Sequence, residues 1–358
     1  MKGISAMKGN KVSIRDVAKE ANVSISTVSR VIRKYSNVPP ETEETVMNAI
    51  KKLKYIPNIA AQSLSQGSMR NIGIVFTRSA ENAFSNPFFA DVLRGIGNVT
   101  EKQGYYLQLI SYSDLNREKE ECIKLLRSGR VDGLILLSAR IHDPLIYELS
   151  SQDLKFVLSG RILENSLLNE RIHSVNTNNL GDSYHAVCHL IRMGHKKVAI
   201  LNAPMEYVVS QDRYDGFRQA LLWGGIEYGS DLEINGGYTL EDAKNAVKEK
   251  LAKRRDITAI FATDDLKAVA AIQAIKELGM QVPDDIAVIG YNDFEVATIV
   301  EPNLTTVRVP IFELGKEAAT MLIQLLQHEE IEEKNKIIPT EFIIRDSCGF
   351  KKKGQYAL

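Results

Sequence analysis

Hydrophobic residues near the start of the chain recur at helical spacing and predict three short helices. In the segment IRDVAKEA they lie on one helical face, at i, i+3, i+4 and i+7: Ile14, Val17, Ala18 and Ala21. Asn22 tolerates the left-handed conformation that ends a helix, and Ser24 stands at an N-cap position, so residues 25–33 predict a second helix. Pro40 suits the first position of a third helix, whose apolar stripe ends at Leu53. Two helices joined by so tight a turn indicate a helix-turn-helix.

After residue 70 the pattern changes to apolar runs separated by helical segments. The runs are short and nearly continuous, which is typical of parallel strands buried on both faces. Four of them come first and three follow after a gap: NIGIVFT, YYLQLIS, VDGLILLS and LKFVLSG, then KKVAILN, TAIFAT and DIAVIGY. Two βα series predict two doubly wound lobes, so the fold class is an all-α helix-turn-helix head followed by an α/β body.

Composition and charge narrow the possible partners. No segment approaches the ~20 apolar residues of a membrane helix, and the first residues lack the apolar core of a secretion signal, so we expect no membrane partner. The whole chain is neutral, but residues 1–70 hold 12 Lys and Arg against 5 Asp and Glu. Such a basic head either faces a polyanion or is a solvated terminus. The three scattered cysteines suit a reducing cytoplasm and lack metal-ligand spacing, so we expect neither a metal nor a cofactor.

The polar face of the second predicted helix carries side chains suited to DNA. They are hydroxyls and one guanidinium: Ser24, Ser26, Thr27, Ser29 and Arg30. Hydroxyls and helix N-terminal amides hold phosphates, and arginine reads guanine through a bidentate contact. The same side chains would also suit the exterior of a simple three-helix bundle. The next segment, YIPNIAAQSLSQGS, is either a linker or a helix that folds only on DNA, where Leu64 would be a minor-groove wedge.

Polar side chains at the predicted strand ends indicate a ligand site in the body. Open parallel sheets bind ligands beyond the carboxyl ends of their strands. The polar residues at these ends, and at one helix start, are Thr77, Arg161, Arg213, Asp264, Asp265, Asn292 and Asp293. Such carboxylate, amide and guanidinium groups suit vicinal sugar hydroxyls. Asp265 could instead cap the next helix, and Arg213 could form a surface ion pair.

Aromatic residues accompany these polar groups. A sugar has an apolar C–H face that packs on an aromatic ring. Phe84, Phe88 and Tyr238 lie in predicted loops or strand ends where such a contact is possible, whereas Phe89 fits the hydrophobic core better. The residues themselves therefore favour a small carbohydrate as the ligand.

The segment VSIRDVAKEANVSISTVSRVI, followed by YIPN, resembles the LacI/GalR family of bacterial transcriptional regulators. The resemblance covers the chain from about residue 12 to residue 346. It implies that Ile25, Ser26 and Arg30 face the bases of DNA. It further implies that Ser24, Thr27 and Ser29 lie near DNA phosphates. Asn58, Ala61 and Leu64 would form the hinge contacts with DNA.

The resemblance also implies the organisation of the body. It is that of periplasmic sugar-binding proteins, in which the chain crosses between two lobes three times, here near Asn176, Val307 and Ile337. The implied DNA-binding domain comprises residues 1–56, and the implied hinge comprises residues 57–70. The N-terminal lobe would comprise residues 71–176 and 309–336, and the C-terminal lobe residues 177–308 and 337–350.

By the same resemblance, Arg213, Tyr238, Asp264 and Asn292 match positions that line the effector cleft of sugar-responsive members. The segments AFSNPFFADVLRGI, SGRIL and ATDDLKA resemble Gram-positive regulators of maltose and malto-oligosaccharide use. We therefore expect a homodimeric regulator, most simply a repressor, of carbohydrate-utilisation genes. It would bind a palindromic double-stranded DNA operator in the cytoplasm, on the nucleoid, and respond to a small sugar such as maltose or a maltodextrin.

Three other functions remain open at this point. The regulator could also answer to a phosphorylated partner protein. A solute receptor shares the body fold, but an export signal and the lack of a basic head would be expected of it. An enzyme is disfavoured because the chain has no G-x-x-x-x-G-K, G-x-G-x-x-G or G-x-S-x-G motif.

Overall fold

The chain folds into two compact units, which divide between Met69 and Arg70. The computed structural model describes residues 12–32, 37–56, 68–77, 79–163, 168 and 170–350. In these parts of the chain, no helix has both the length and the apolarity that a bilayer crossing requires.

The first unit is a three-helix head built around a small valine core. Its helices are α1 (Ile14–Glu20), α2 (Ile25–Ile32) and α3 (Pro40–Leu53). One valine from each helix is completely buried at the centre: Val17, Val28 and Val46. The predicted positions of the three helices are confirmed, although Arg33, the predicted last residue of α2, lies outside the described residues.

Local signals place the turn between α1 and α2. Asn22 adopts the left-handed conformation with a φ of 53°, as predicted. The Ser24 hydroxyl accepts a hydrogen bond from the Thr27 amide at 3.0 Å and so caps α2. The two helices therefore meet in a tight turn, and α2 begins at the head's surface.

The second unit contains a six-stranded parallel sheet that forms the core of a first lobe. Strands β1, β3 and β4 are mostly apolar and are buried along nearly their entire length, which explains their continuous hydrophobic runs in the sequence. The strand order is β11-β5-β4-β3-β1-β2. The bounds are β1 Asn71–Phe76, β2 Tyr106–Ser111, β3 Gly133–Leu136, β4 Phe156–Ser159, β5 His173–Asn176 and β11 Asn335–Ile337.

Helices cover both faces of this sheet. They are α4 Ala80–Phe84, α5 Pro87–Gln103, α6 Leu115–Arg127, α7 Pro144–Ser151 and α13 Ile311–Gln327. Helices α5 and α13 touch backbone to backbone, because a Cβ added at Gly95 would lie 2.0 Å from the Phe312 carbonyl oxygen. A Cβ added at Gly315 would likewise lie 2.1 Å from the Val92 carbonyl oxygen. Any side chain at either glycine would force these two helices apart.

A second lobe is built on a four-stranded parallel sheet with the order β7-β6-β8-β9. An antiparallel pair, β10 and β12, accompanies this sheet. The strands are β6 Val198–Asn202, β7 Glu233–Asn235, β8 Ala259–Ala262, β9 Ala287–Ile289, β10 Thr306–Arg308 and β12 Glu341–Ile343. The helices are α8 Asn179–Arg192, α9 Val208–Trp223, α10 Leu240–Lys253, α11 Asp265–Glu277 and α12 Val296–Ile299.

The chain passes between the two lobes three times. It leaves the first sheet after Asn176 and enters α8, returns between Arg308 and Ile311, and leaves again after Ile337. The first lobe is therefore assembled from two distant parts of the sequence, and α13 and β11 are added to it late. The body has two parallel α/β lobes of the periplasmic-binding-protein type, so the predicted fold class is confirmed.

Candidate functional sites

The first turn of α2 forms a cluster of hydroxyl groups at the surface of the head. The Ser24 oxygen lies 2.7 Å from the Ser26 hydroxyl and 2.8 Å from the Thr27 hydroxyl. Ser24 and Ser26 are exposed, and Thr27 is half-buried. Hydroxyls and amides at a helix N-terminus attract phosphate groups, so this turn can position a nucleic-acid backbone.

One apolar side chain beside this polar turn is exposed to solvent. Ile25 is 46% exposed, whereas Val28 and Val31 of the same helix are buried. Arg30 is also exposed, one turn further along, and Ser29 is half-buried. The face of α2 that points away from the core thus offers an aliphatic group and a guanidinium, which contact thymine methyls and guanine edges in major grooves.

The predicted hinge contacts Asn58, Ala61 and Leu64 lie outside the described residues. Their role in the minor groove stays a prediction.

A cleft separates the two lobes of the body at the carboxyl ends of their strands. The first lobe lines it with the segments that follow β3 and β4 and with the start of α5. The second lobe lines it with the starts of α8, α9 and α11. Because several helices begin here, their N-terminal amide groups point towards the cleft, as is usual for ligand sites in open α/β sheets.

Arg213 is fixed in this cleft by contacts on three sides. Its Nε donates to the Asn179 Oδ1 at 3.0 Å, and its Nη1 donates to the Thr263 carbonyl. Its guanidinium lies 3.6 Å from the centre of the buried Tyr291 ring. A guanidinium carries five N–H groups, which is more than these two hydrogen bonds use. Arg213 is therefore a pre-positioned donor in the cleft and not a surface ion pair.

The Asp264 carboxylate accepts hydrogen bonds from three different parts of the body. Its Oδ1 accepts from the Leu266 amide at 2.8 Å and thereby caps α11. Its Oδ2 accepts from the Asn292 amide group at 3.3 Å and from the Asn86 amide group at 3.1 Å. Asp264 thus provides acceptor oxygens in the cleft, where sugar hydroxyls donate.

The neighbouring Asp265 has a different role. It is fully buried and accepts hydrogen bonds from the Thr306 hydroxyl at 2.6 Å and from the Phe294 amide at 2.7 Å. Burial raises the pKa of its carboxyl to about 8. The cap of α11 is Asp264, so the possibility that Asp265 caps this helix is wrong.

Asn292 combines unusual backbone geometry with an unused acceptor. Its φ is 109°, a value that residues with side chains rarely adopt, and it is held there by hydrogen bonds with Val307 and Val309. Its Oδ1 is buried and accepts no hydrogen bond from the described residues. A buried carbonyl oxygen without a donor is costly, which indicates that a ligand hydroxyl can complete the site.

An ion pair spans the cleft beside these groups. Arg161, which follows β4 in the first lobe, donates through Nε to the Asp212 Oδ2 at 2.9 Å and through Nη2 to the Asp212 Oδ1. Asp212 belongs to α9 of the second lobe and is only 2% exposed. Burial raises the pKa of its carboxyl, and the Arg161 guanidinium opposes that rise.

Aromatic residues border the same cleft at the start of α5. Phe88 lines it and is half-buried, and its ring meets the Phe89 ring edge-on with 5.4 Å between centroids. Phe89 is 3% exposed and packs against Phe76, so it belongs mainly to the core as predicted. The Phe88 ring is thus placed to pack on an apolar ligand face.

The cleft brings together five of the predicted effector residues: Phe88, Arg161, Arg213, Asp264 and Asn292. Two other predicted residues, Thr77 and Phe84, lie outside its lining. Thr77 is buried, and its carbonyl accepts from the Tyr207 hydroxyl at 3.2 Å. Phe84 is 60% exposed and packs on Phe76 at 5.3 Å.

Tyr238 and Asp293 also lie outside the lining of the cleft. The Tyr238 hydroxyl donates to the Glu206 carboxylate. Asp293 forms ion pairs with Arg308 at 2.8 Å and with Arg345 at 2.7 Å. A position at a strand end therefore does not by itself bring a carboxylate into the cleft lining, and here two arginines engage it.

The polar residues of the cleft lining that sequence reasoning missed include Asn86, Asn179, Asp212 and Lys267. Asn86 had a usable signal, since an asparagine before a proline marks a helix N-cap with proline at the first helical position. Asn86 does accept from the Phe88 amide at 3.0 Å and caps α5. Asp212 had no local signal, because its partner lies in the other lobe.

Comparison with known proteins agrees with this architecture. Residues 13–58 match the family described as bacterial regulatory proteins, lacI family, and residues 187–348 match the periplasmic binding protein-like domain. The chain is 34% identical over 331 residues to the HTH-type transcriptional regulator CelR of Thermobifida fusca, which covers 92% of this chain and 96% of CelR. The chain belongs to the LacI family of bacterial transcriptional regulators. As a LacI-family member it is a DNA-binding transcription regulator and not an enzyme.

Two solved structures of LacI-family proteins resemble the whole chain. A transcriptional regulator CelR–cellobiose complex has 32% identity and a TM-score of 0.72, and the match covers 94% of this chain and 99% of that one. A lac repressor dimer bound to operator and the anti-inducer ONPF has 26% identity and a TM-score of 0.82. This match covers 95% of this chain and 99% of the lac repressor chain.

Proposed function

We propose that this LacI-family regulator binds a palindromic operator as a homodimer and that a small saccharide in the interlobe cleft controls its affinity for DNA. Its site of action is the nucleoid of the cytoplasm, and its target genes serve carbohydrate use. The hinge between the two units comprises residues 57–70, and the effector unit begins at residue 71.

The exposed face of α2 supports the DNA-binding part of the proposal. Ile25, Ser26 and Arg30 would read base edges in the major groove, while Ser24, Thr27 and Ser29 contact phosphates. Two copies related by a two-fold axis would place two such helices in successive major grooves, which requires a palindromic site. The operator-bound dimer of the lac repressor supports this arrangement.

The observation that carries the ligand proposal is the composition of the cleft. Arg213 is a fixed donor, Asp264 is an acceptor, and the Asn292 Oδ1 is a buried acceptor without a donor. Adjacent sugar hydroxyls act as donors and acceptors together, so they match this set. The Phe88 ring is available for the C–H face of the sugar.

A short glucose oligomer, maltose or a maltodextrin, is the proposed ligand. A protein with 32% identity has been solved with cellobiose, which is also a disaccharide of glucose. A ligand that contacts both lobes changes their relative position and thus the spacing of the hinges that follow the heads. It can shift DNA affinity only through its different affinities for the two arrangements.

Calorimetric titration tests the ligand. We expect maltose or maltotriose to bind more tightly than cellobiose, sucrose, galactose or ribose. Fluorescence anisotropy with operator DNA, identified by genome-wide mapping of bound sites, should then show that the same saccharide changes operator affinity. Selective binding of a pentose or a purine would contradict the saccharide assignment. DNA attraction that ignores sequence and disappears in modest salt would contradict the whole proposal.

A further inference from the structure

Two helix caps face each other across the cleft. Asn86 caps α5 in the first lobe, and Asp264 caps α11 in the second lobe. The Asn86 Nδ2 donates to the Asp264 Oδ2 at 3.1 Å, although 178 positions separate the two residues. Each side chain therefore completes its own helix and also joins the two lobes.

The two ends of the Asn86 amide have separate tasks. Its Oδ1 accepts from the Phe88 amide at 3.0 Å, within its own helix, so only the Nδ2 crosses the cleft. Asp264 is divided in the same way, with Oδ1 on the Leu266 amide and Oδ2 facing the other lobe. A substitution can consequently remove the interlobe bond and leave the cap intact.

The bidentate ion pair between Arg161 and Asp212 adds a second connection between the lobes. Hydrogen bonds between ionised partners are stronger than those between neutral groups, and Asp212 is buried. Asn86, Asp264, Arg161 and Asp212 are together called the latch below. All four residues line the cleft that is proposed to bind the saccharide.

The latch occupies groups that a ligand would need. The Asp264 Oδ2 is engaged by Asn86, and the Asn292 Oδ1 is buried without a hydrogen-bond donor among the described residues. A ligand hydroxyl that donates to the Asp264 Oδ2 in place of Asn86 must displace the Asn86 amide, and any separation of the lobes breaks both latch contacts. The latch therefore opposes entry.

Backbone hydrogen bonds between the lobes report on this opening. The Ile141 amide donates to the Glu206 carbonyl at 2.8 Å, and the Val208 amide donates to the Ala139 carbonyl at 3.1 Å. Each bond joins the loop after β3 to the start of α9 or to the residues just before it, which belong to different lobes. Exchange of these two amide protons with solvent requires the lobes to separate locally.

We infer that Asn86 is a positioning residue that, together with the Arg161–Asp212 pair, holds the two lobes together and must be displaced from Asp264 when a ligand enters. A ligand hydroxyl then takes the place of the Asn86 amide on the Asp264 Oδ2. The displacement of Asn86 by a ligand, called the ligand step, rests on the proposed function. The joining of the two lobes by the latch, called the closing step, can be tested on the protein without any ligand.

The substitution Asn86→Asp tests the closing step in the full chain. Aspartate is as good an N-cap as asparagine, so α5 keeps its cap, but the donor is replaced by a carboxylate that repels Asp264. We expect hydrogen–deuterium exchange at the Ile141 and Val208 amides of the ligand-free protein to accelerate by about tenfold or more, because a hydrogen bond to a charged group is lost. Asp212→Asn should accelerate the same two amides.

The matched control is Asn178→Asp. Asn178 is an exposed N-cap of α8 whose side chain accepts from the Gly181 amide at 3.1 Å, so it undergoes the same chemical change without an interlobe partner. Exchange at Ile141 and Val208 should stay unchanged in this variant. Unchanged exchange in Asn86→Asp would overturn the latch, and so would equal acceleration of amides in β1 and β8, which would indicate general destabilisation. Since no saccharide enters this measurement, its failure and that of the proposed ligand are distinguishable.

Discussion

The guanidinium of Arg213 lies over the ring of Tyr291, with 3.6 Å between its central carbon and the ring centre. Tyr291 is completely buried, and its hydroxyl donates to Asp182 at 3.2 Å, so the ring cannot shift. The cation is therefore held in one orientation by packing, by Asn179 and by Thr263. Pre-organisation of this kind lowers the entropy that a binding site loses when its ligand arrives.

This relationship predicts the effect of Arg213→Lys. An ammonium retains the charge but lacks the planar fork that stacks on Tyr291 while donating in two directions. We expect saccharide affinity to fall by about 10- to 100-fold, the value of a charged hydrogen bond, while operator binding without saccharide persists. Calorimetry and anisotropy measure the two effects.

Arg218→Lys is the matched control for this prediction. Arg218 belongs to the same helix, and its guanidinium lies near the rings of Tyr214 and Tyr228 at 5.8 and 5.7 Å, away from the cleft lining. Its replacement should leave saccharide affinity unchanged. Equal losses in both variants would show that the Arg213 effect comes from the helix and not from the ligand site.

Ile25 should contribute to operator binding and not to the stability of the head. Because Ile25 is 46% exposed, Ile25→Ala removes little core packing. We expect operator affinity to fall about tenfold or more, since each methylene withdrawn from water contributes roughly 0.8 kcal/mol. Anisotropy with operator DNA measures the loss, and Met47→Ala on α3, 41% exposed, is the control. A large loss of thermal stability in Ile25→Ala would refute the assignment.

Ser24 should show two separable roles. Ser24→Ala removes the cap of α2 and should lower the free energy of unfolding of the head by about 1 kcal/mol. Ser24→Asp keeps a capping oxygen but places a carboxylate beside the DNA phosphates. We expect this variant to keep its stability and lose operator affinity, measured by circular dichroism melting and anisotropy. Retained affinity in Ser24→Asp would place Ser24 away from the phosphates.

Asp265 should make the stability of the second lobe depend on pH. Its pKa is raised to about 8 by burial, whereas the unfolded chain ionises near its ordinary value of 3.8, so folding binds a proton between these values. The contribution is complete below the lower value and is lost as pH rises to the higher one. Asp265→Asn resembles the neutral acid and cannot ionise.

The wild-type free energy of unfolding should therefore fall relative to that of Asp265→Asn as pH rises from about 5 to about 8, by at most about 1.4 kcal/mol per pH unit, and then level off. Urea unfolding followed by the fluorescence of Trp223, the single tryptophan of the chain, measures this in the same lobe. Parallel curves for both proteins would exclude an ionisation of Asp265 in this range.

Local patterns predicted the head and most elements of the body correctly. The left-handed Asn22, the cap at Ser24 and the proline at the start of α3 act within a few residues, so their effects are readable from the sequence. Buried parallel strands likewise appear as continuous apolar runs. The strand-end position of Asp264 and the helix-start position of Arg213 also predicted that both residues lie in the cleft, because the carboxyl edge of a parallel sheet collects its ligand groups.

The interlobe contacts were beyond such reasoning. The partners Asn86 and Asp264, or Arg161 and Asp212, are brought together only when both lobes are complete. Asp293 lies outside the cleft lining for a related reason, since the two arginines that pair with it come from β10 and from the segment after β12. Propensity and periodicity describe neighbours in sequence, whereas these contacts depend on the three crossings of the chain.

The late addition of α13 and β11 to the first lobe constrains how the protein is made. A ribosome has released residues 71–176 long before it reaches Ile311, so the emerging lobe lacks the helix that packs on α5 and one edge strand of its sheet. The face of α5 around Gly95 stays uncovered until the second lobe has been synthesised. This half of the body therefore completes its fold only after most of the chain has been translated, and a fragment that ends before residue 311 lacks a wall of its core.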